Sequence, residues 1–263
     1  MKKTILIAAV ALLTAVGAQA QSFFHKGVLS DVKYGARLGY NLGGSAPLNM
    51  PASIRKLNKF PLTPNIAFGI NAEKPLDGDF GLMVGVRFEN KGMSVDASVK
   101  NYKMEMVKGG ERLGGVFTGK VVTKTTQWMF TFPVQATFHY KKVTFKAGPY
   151  VSYLTGREFY GWAYDGYLRV DDPTGPKVML GSTPDERGDY DFTPDMRRWQ
   201  VGFDVGVDWA FGRRFGAYAD LSCGFHGIHR SGFKIIEQTL VPIYGSIGVT
   251  YAFYKFRIKI FTR

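Results

Sequence analysis

Cysteine is nearly missing: Cys223 is alone among 263 residues, which excludes an intrachain disulfide framework and a cysteine-based metal centre. Acidic charge is short, with 21 Asp and Glu against 34 Lys and Arg, and charged residues make up only 21% of the chain. Long apolar runs are also absent beyond the N-terminus. A bundle of transmembrane helices needs several stretches of about 20 apolar residues, so that class is excluded. No G-X-Y period is present, and 45% hydrophobic residues are too many for a disordered chain. What the chain has in excess is glycine, 32 residues, and aromatics, 15%, at a mean hydropathy of −0.09. An apolar face alternating with a small or polar one averages to such values.

The first 20 residues read as a secretory signal peptide. Lys2 and Lys3 form the basic start, Ile5 to Val16 the apolar core, and Ala18-Gln19-Ala20 the small-residue cleavage site. Cleavage there removes two of the +13 charges and leaves a basic, exported protein. A lone thiol in an oxidising compartment is expected to be buried or facing lipid.

From residue 34 onward the dominant period is two, the period of a strand. Tyr34, Ala36, Leu38, Tyr40 and Leu42 alternate with Gly35, Arg37, Gly39 and Asn41. The same alternation recurs over 66–73, 82–89, 128–139, 143–153, 199–211, 215–223 and 243–253, which predicts eight strands. The apolar faces carry no charge. The opposite faces carry Arg37, Arg87 and Lys146 against Glu73, Glu89, Asp204, Asp208 and Asp220. If the apolar face meets lipid, where a mid-membrane cation costs about 2–4 kcal/mol, these charges turn inward and pair.

Connection lengths separate a soluble sandwich from a membrane barrel. Residues 75–79, 140–142 and 212–213 are short turns, while 44–63, 92–125, 155–197 and 226–240 are long connections. Strict alternation of the two predicts an all-β fold: an eight-stranded antiparallel up-and-down transmembrane β-barrel with short periplasmic turns and long extracellular loops. The predicted organisation is signal peptide 1–20, a short segment 21–31, the barrel 32–254 and a basic tail or strand extension 255–263. Tyr34, Tyr40, Trp128, Tyr153, Trp199 and Trp209 fall near strand ends and are expected to form interfacial girdles. Residues 93–107, where Val95, Ala97 and Val99 oppose Asp96, Ser98 and Lys100, are expected to protrude as a hairpin.

The segments YGARLGYNLGG (34–44), AFGINAEKPL (67–76), GVRFENKGMSV (85–95), FTFPVQATFHY (130–140), AGPYVSYL (147–154), VGFDVGVDWAFG (201–212) and AYADLSCGFHGI (217–228) occur in the order of a known family. The chain resembles the PorT-type outer-membrane β-barrel proteins, small porin-family barrels of OmpA-like architecture. Ser246, Gly248, Tyr251 and Phe253 resemble the terminal signal read by the barrel-insertion machinery. Family members commonly stop at that terminal aromatic, whereas 254–263 continues here with Phe256, Ile258 and Ile260 out of phase. The resemblance implies a location in the cell outer membrane and admits an accessory role in type IX secretion.

No constellation points to catalysis. His226 and His229 lie three apart in a long loop without a neighbouring ligand, and Asp171, Asp172, Asp185, Glu186, Asp189, Asp191 and Asp195 follow no ordered cation loop. His139 sits at a short turn with no serine pair in view. An eight-stranded barrel is just wide enough to be filled by its own side chains. The expectation is therefore a non-enzymatic outer-membrane protein with a plugged interior, in a structural, binding or assembly role; a narrow diffusion porin and a lipid-modifying enzyme are the alternatives. Neither cofactor nor metal nor nucleic acid is expected. The expected partners are outer-membrane lipid and lipopolysaccharide, the insertion machinery and an envelope protein. Basic loop residues Arg55, Lys56, Lys59, Lys100, Lys103, Lys108, Arg112, Lys120 and Lys124 suit anionic phosphates or acidic partners.

Overall fold

A computed structural model of the chain describes residues 31–47, 52–61, 63, 65–233, 235–236 and 239–253. The signal peptide, most of 21–31 and the tail after 253 lie outside the described residues. Eleven strands run in chain order: β1 (Lys33–Pro47), β2 (Ile54–Lys59), β3 (Ile66–Pro75), β4 (Phe80–Lys108), β5 (Glu111–Tyr140), β6 (Val143–Val170), β7 (Lys177–Leu180), β8 (Gly188–Asp191), β9 (Trp199–Ala210), β10 (Phe215–Gly224) and β11 (Leu240–Ala252). One turn of 3₁₀ helix, Thr193–Asp195, precedes β9.

Eight of these strands pair in a closed antiparallel ring, β1-β3-β4-β5-β6-β9-β10-β11, with β11 returning to β1 through a register that sets Gly39 opposite Gly248. They contain the eight alternating stretches predicted from period two. One end of the ring carries tight turns. Lys141 takes φ +55° between β5 and β6, and Leu76 donates to the Phe80 carbonyl at 2.8 Å between β3 and β4. At the other end β4, β5 and β6 run far past their neighbours. The connection over 92–125 is not a loop but a continuation of β4 and β5, closed by Gly109 and Gly110 at φ +59° and +86°. Two successive positive-φ glycines match the twist of the flanking strands, which favours such a hairpin turn. The predicted hairpin is thus present and longer than expected. β6 also extends to Val170, a feature the alternation over 143–153 did not reveal.

Above the ring β2, β7 and β8 add to these long strands and form a head with its own apolar core. Met104, Met106, Phe117, Phe159, Leu168, Met196 and Ile228 are fully buried there. On β4 the change from ring to head is at first one of polarity without a change of phase; past the irregularity between Val99 and Tyr102, where Asn101 takes φ +54°, the phase shifts and Met104 and Met106 become the buried positions. On β4 the inward positions Arg87, Glu89 and Lys91 are followed by Met93, Ala97 and Val99, all buried, while the outward side passes from Val84, Val86 and Phe88 to Ser94, Asp96 and Ser98. In the ring the large apolar side chains face outward and the charges inward. In the head the sides are exchanged, as surfaces facing water require.

Candidate functional site

Inside the ring, polar groups are stacked in layers. Nearest the tight turns, Glu73 accepts from Thr137 at 2.8 Å and pairs with His139 Nε2 at 2.6 Å, while the other His139 nitrogen meets the Thr144 hydroxyl at 2.9 Å. In the next layer Asp220 pairs with Arg37 and stands 2.9 Å from Lys146, which also pairs with Asp208; the Arg37 guanidinium lies 3.7 Å over the Tyr218 ring. Arg87 reaches Asp204 at 2.9 Å, Asp220 at 3.7 Å and the Gln135 carbonyl oxygen at 3.4 Å. Higher still, Glu89 accepts from Thr131 at 2.7 Å and Asn41 at 3.1 Å and pairs with Lys91 at 3.3 Å. Between Arg37, Arg87, Glu89, Tyr218 and Ser246 no space remains large enough for a water.

All eight predicted charges therefore come together, seven of them in direct ion pairs with one another or with Lys91, and Glu73 with His139. Counted from the sequence alone, three cations faced five acids. Lys91 supplies a fourth, and its ammonium also lies 5.5 Å from the rings of Tyr150 and Tyr244. The signal for it was the same alternation, continued one step past Glu89. His139, set aside as a candidate catalyst, is instead part of the lowest layer.

The predicted aromatics fall at two levels. Tyr34 and Trp209 stand at the tight-turn end, where Phe80 and Phe138 lie 5.1 Å apart and Trp209 and Phe211 5.7 Å apart. Tyr40, Trp128, Tyr153 and Trp199 stand where the head begins, with Phe88 against Trp128 at 5.4 Å and Tyr153 against Trp199 at 4.9 Å. Between the levels Leu38, Phe68, Ile70, Val84, Val86, Phe132, Val134, Val205 and Val249 point outward, each about half exposed.

The terminal-signal residues each have a place in the ring. Ser246 donates to Asn41 Oδ1 at 2.5 Å, Gly248 lies against β1, Tyr251 packs on Phe215 at 5.2 Å, and the Phe253 amide donates to the Tyr34 carbonyl at 2.8 Å.

In the head, His226 and His229 do not form a metal pair, and no group of three His, Cys, Asp or Glu side chains is placed to hold a metal ion among the described residues. His229 is buried, stacked on Phe233 at 4.4 Å and edge-on to Phe159 at 4.6 Å, and burial lowers its pKa to about 4. Burial likewise raises the Tyr190 phenol, which donates to the Val122 carbonyl at 2.8 Å. Of the basic loop residues, Lys120 pairs with Asp165 at 3.1 Å and Lys124 lies 5.1 Å from the Trp162 ring.

Residues 18–230 match the family described as the outer membrane protein beta-barrel domain, which accounts for most of the chain. The protein belongs to this outer membrane β-barrel family. Its eight-strand ring and outward apolar belt are what membership leads one to find. Among solved structures, similarity extends to Ail, the attachment invasion locus protein of Yersinia pestis, at 9% identity and a TM-score of 0.36, covering 84% of this chain and 99% of that one. The translocator domain of the autotransporter NalP from Neisseria meningitidis gives 9% identity and a TM-score of 0.25, covering 94% and 98%. A mutant Rhodopseudomonas blastica porin gives 8% and 0.18, covering 85% and 99%. No curated protein matches the sequence.

Proposed function

We propose that the protein is exported by a cleaved signal peptide and inserted in the outer membrane as a non-enzymatic barrel, closed by its own side chains, that binds through its head. The tight turns then face the periplasm and the head faces outward. The outward apolar belt supports the membrane reading, since a water-soluble chain rarely leaves so continuous an apolar surface uncovered. On β9, Trp199 and Trp209 bound that belt. Ten residue steps of about 3.3 Å, on a strand tilted by about 40°, give a height of about 25 Å, the thickness of an outer-membrane apolar band.

The observation that carries the closed-interior reading is the pairing of Arg87 with Asp204 across the ring, both side chains buried. Purified protein reconstituted in planar bilayers is expected to give no stepwise conductance, and steady single-channel currents would make it a diffusion pore instead. Outer-membrane fractionation with heat-shifted gel mobility tests the barrel. The expected partners remain lipopolysaccharide and an envelope protein, and an accessory role in type IX secretion would use the same head. Cross-linking in intact cells tests both.

A further inference from the structure

Above the upper aromatic level β6 loses its ring neighbour. Its pairing with β9 ends at Tyr153 and Trp199, and β8 joins it only at Tyr160, so over 154–159 the edge of β6 is met by the segment that leads into β9. The Leu154 amide holds that segment by donating to the Arg198 carbonyl at 2.8 Å, and the Phe159 amide by donating to Thr193 Oγ1 at 2.9 Å. On the other side β5 and β6 slip in register between Trp128 and Met129. The result is an open groove of about 440 Å³ whose walls include Thr126, Trp128, Gly156, Arg157, Glu158 and Arg198.

Arginines gather at this groove. The Arg157 guanidinium donates to the Met196 carbonyl, Arg198 Nη1 lies 3.5 Å from the Tyr153 hydroxyl, and the Arg230 amide donates to the Asp195 carbonyl at 2.9 Å, which sets Arg230 beside the same segment. None of the three makes a salt bridge among the described residues. They act on one another: partial burial, then the charges of Arg198 and Arg230, lower the Arg157 pKa, with the Tyr153 phenol acting the other way. Glu158 is the one acid on the groove wall, and it is exposed. Cations held together without a paired carboxylate favour the entry of an anion, and the planar guanidinium fork matches the oxygens of a phosphate. Just below the groove the wall is apolar, since Phe130 stands opposite Tyr153 and Tyr153 opposite Trp199 on adjacent strands. A lipid whose acyl chains lie on that wall brings its first charged groups to the level of Arg157 and Arg198. In an outer leaflet built of lipopolysaccharide those groups are the phosphates on the glucosamine pair of lipid A.

We propose that this groove binds a phosphate of lipid A between Arg157 and Arg198, with Arg230 adding its charge and the acyl chains lying over Phe130, Tyr153 and Trp199. The site rests on the reading of the ring as an outer-membrane barrel and gives lipopolysaccharide its point of contact.

The test uses purified protein in phosphatidylcholine nanodiscs doped with diphosphoryl lipid A, with the retained lipid counted by native mass spectrometry. Wild type is expected to retain diphosphoryl lipid A about tenfold more than lipid A stripped of both phosphates, or than phosphatidylglycerol. Arg198→Gln changes an exposed side chain and is expected to lower retention several-fold; Arg157→Gln with Arg198→Gln lowers it by about tenfold or more. Lys103→Gln with Arg112→Gln, both exposed towards the tip of the β4–β5 hairpin, is expected to leave it unchanged. Inorganic phosphate at the same concentration is expected not to displace the lipid. Heat-shifted mobility identifies the folded variants, and wild type that lacks it or stays outside the nanodisc would refute the membrane reading itself. In folded, embedded protein, equal retention of dephosphorylated lipid A or of phosphatidylglycerol, displacement by inorganic phosphate, full retention after Arg157→Gln with Arg198→Gln, or an equal loss in the Lys103 and Arg112 variant would each overturn the proposal.

Discussion

Arg87 Nη1 stands 2.9 Å from Asp204 Oδ2 although their strands, β4 and β9, are separated in the ring by β5 and β6 on one side. The pair therefore spans the interior and does not follow the wall. Arg37 on β1 with Asp220 on β10, and Lys146 on β6 with the same Asp220, cross in the same way, each over one intervening strand. Three cations converge on Asp220, with Asp204 and Asp208 as further carboxylates, so one side chain removed leaves several partners uncompensated.

Arg87→Met is accordingly expected to destabilise the ring by about 3–5 kcal/mol, because it strands Asp204 without a counter-charge. Replacing both partners, Arg87→Met with Asp204→Leu, is expected to recover most of the loss. Urea unfolding followed by heat-shifted gel mobility measures both. A double variant no more stable than the single would show that the pair does not act as a unit.

His229 makes the head sensitive to acid. Its pKa is about 4 in the folded protein against 6.5 ordinarily, so the unfolded head takes up a proton first as pH falls. The His229 contribution is fully present above pH 6.5, is lost between 6.5 and about 4, and is worth at most ~3 kcal/mol. The hydrogen-exchange protection factors over 225–233, taken relative to the intrinsic amide rate at each pH, are expected to fall between pH 7 and pH 4.5, and His229→Phe to remove most of that dependence. Unchanged protection factors in wild type would show that His229 does not hold this segment.

Gly248 has two readings that can be separated. A methyl group there would come within 2.2 Å of the Leu38 carbonyl oxygen and 2.5 Å of Gly39 Cα, at the seam where the last strand meets the first. Gly248→Ala is therefore expected to slow or prevent refolding of purified protein into detergent micelles, where no insertion machinery is present. Normal refolding in micelles with failure only in cells would instead assign Gly248 to the insertion signal.

Cys223 lies between Phe203 and Ile243 on the outer side of the ring, two residues beyond outward-facing Leu221. In bilayers it is expected to resist a charged thiol reagent that labels it rapidly once the protein is unfolded, since a charged reagent does not enter the apolar surroundings of the ring. Rapid labelling of the folded protein in bilayers would place it in water.

Much of the ring was legible because one rule operates along it. From Tyr34 to Phe253 every second side chain meets the outside, so Leu82, Val84, Val86 and Phe88 reveal a strand and its orientation without any knowledge of its neighbours. The same rule identified Arg37, Glu73, Arg87, Glu89, Lys146, Asp204, Asp208 and Asp220 as one inward set. It missed Lys91, only one step further along, because the outward partner of the pattern ends at Phe88. The head was read largely as loops for a related reason. Past Lys91 the period continues only to Val99 before it slips at Asn101, and over that stretch lipid gives way to water, so an alternation whose apolar members have moved to the opposite side looks like an interruption.

The amino-acid sequence by itself determined the eight strands of the ring, their alternation of tight turns with long connections, and which of their side chains share a face, since these depend on local backbone period alone. Only the tertiary structure decided which charge meets which, that Arg87 reaches across to Asp204, and that β1 and β4 part above Ile66 with β2 paired to β4 in the gap. Those relations depend on ring closure, stagger and unequal strand length, which bring together residues more than a hundred positions apart and leave no trace in any local pattern.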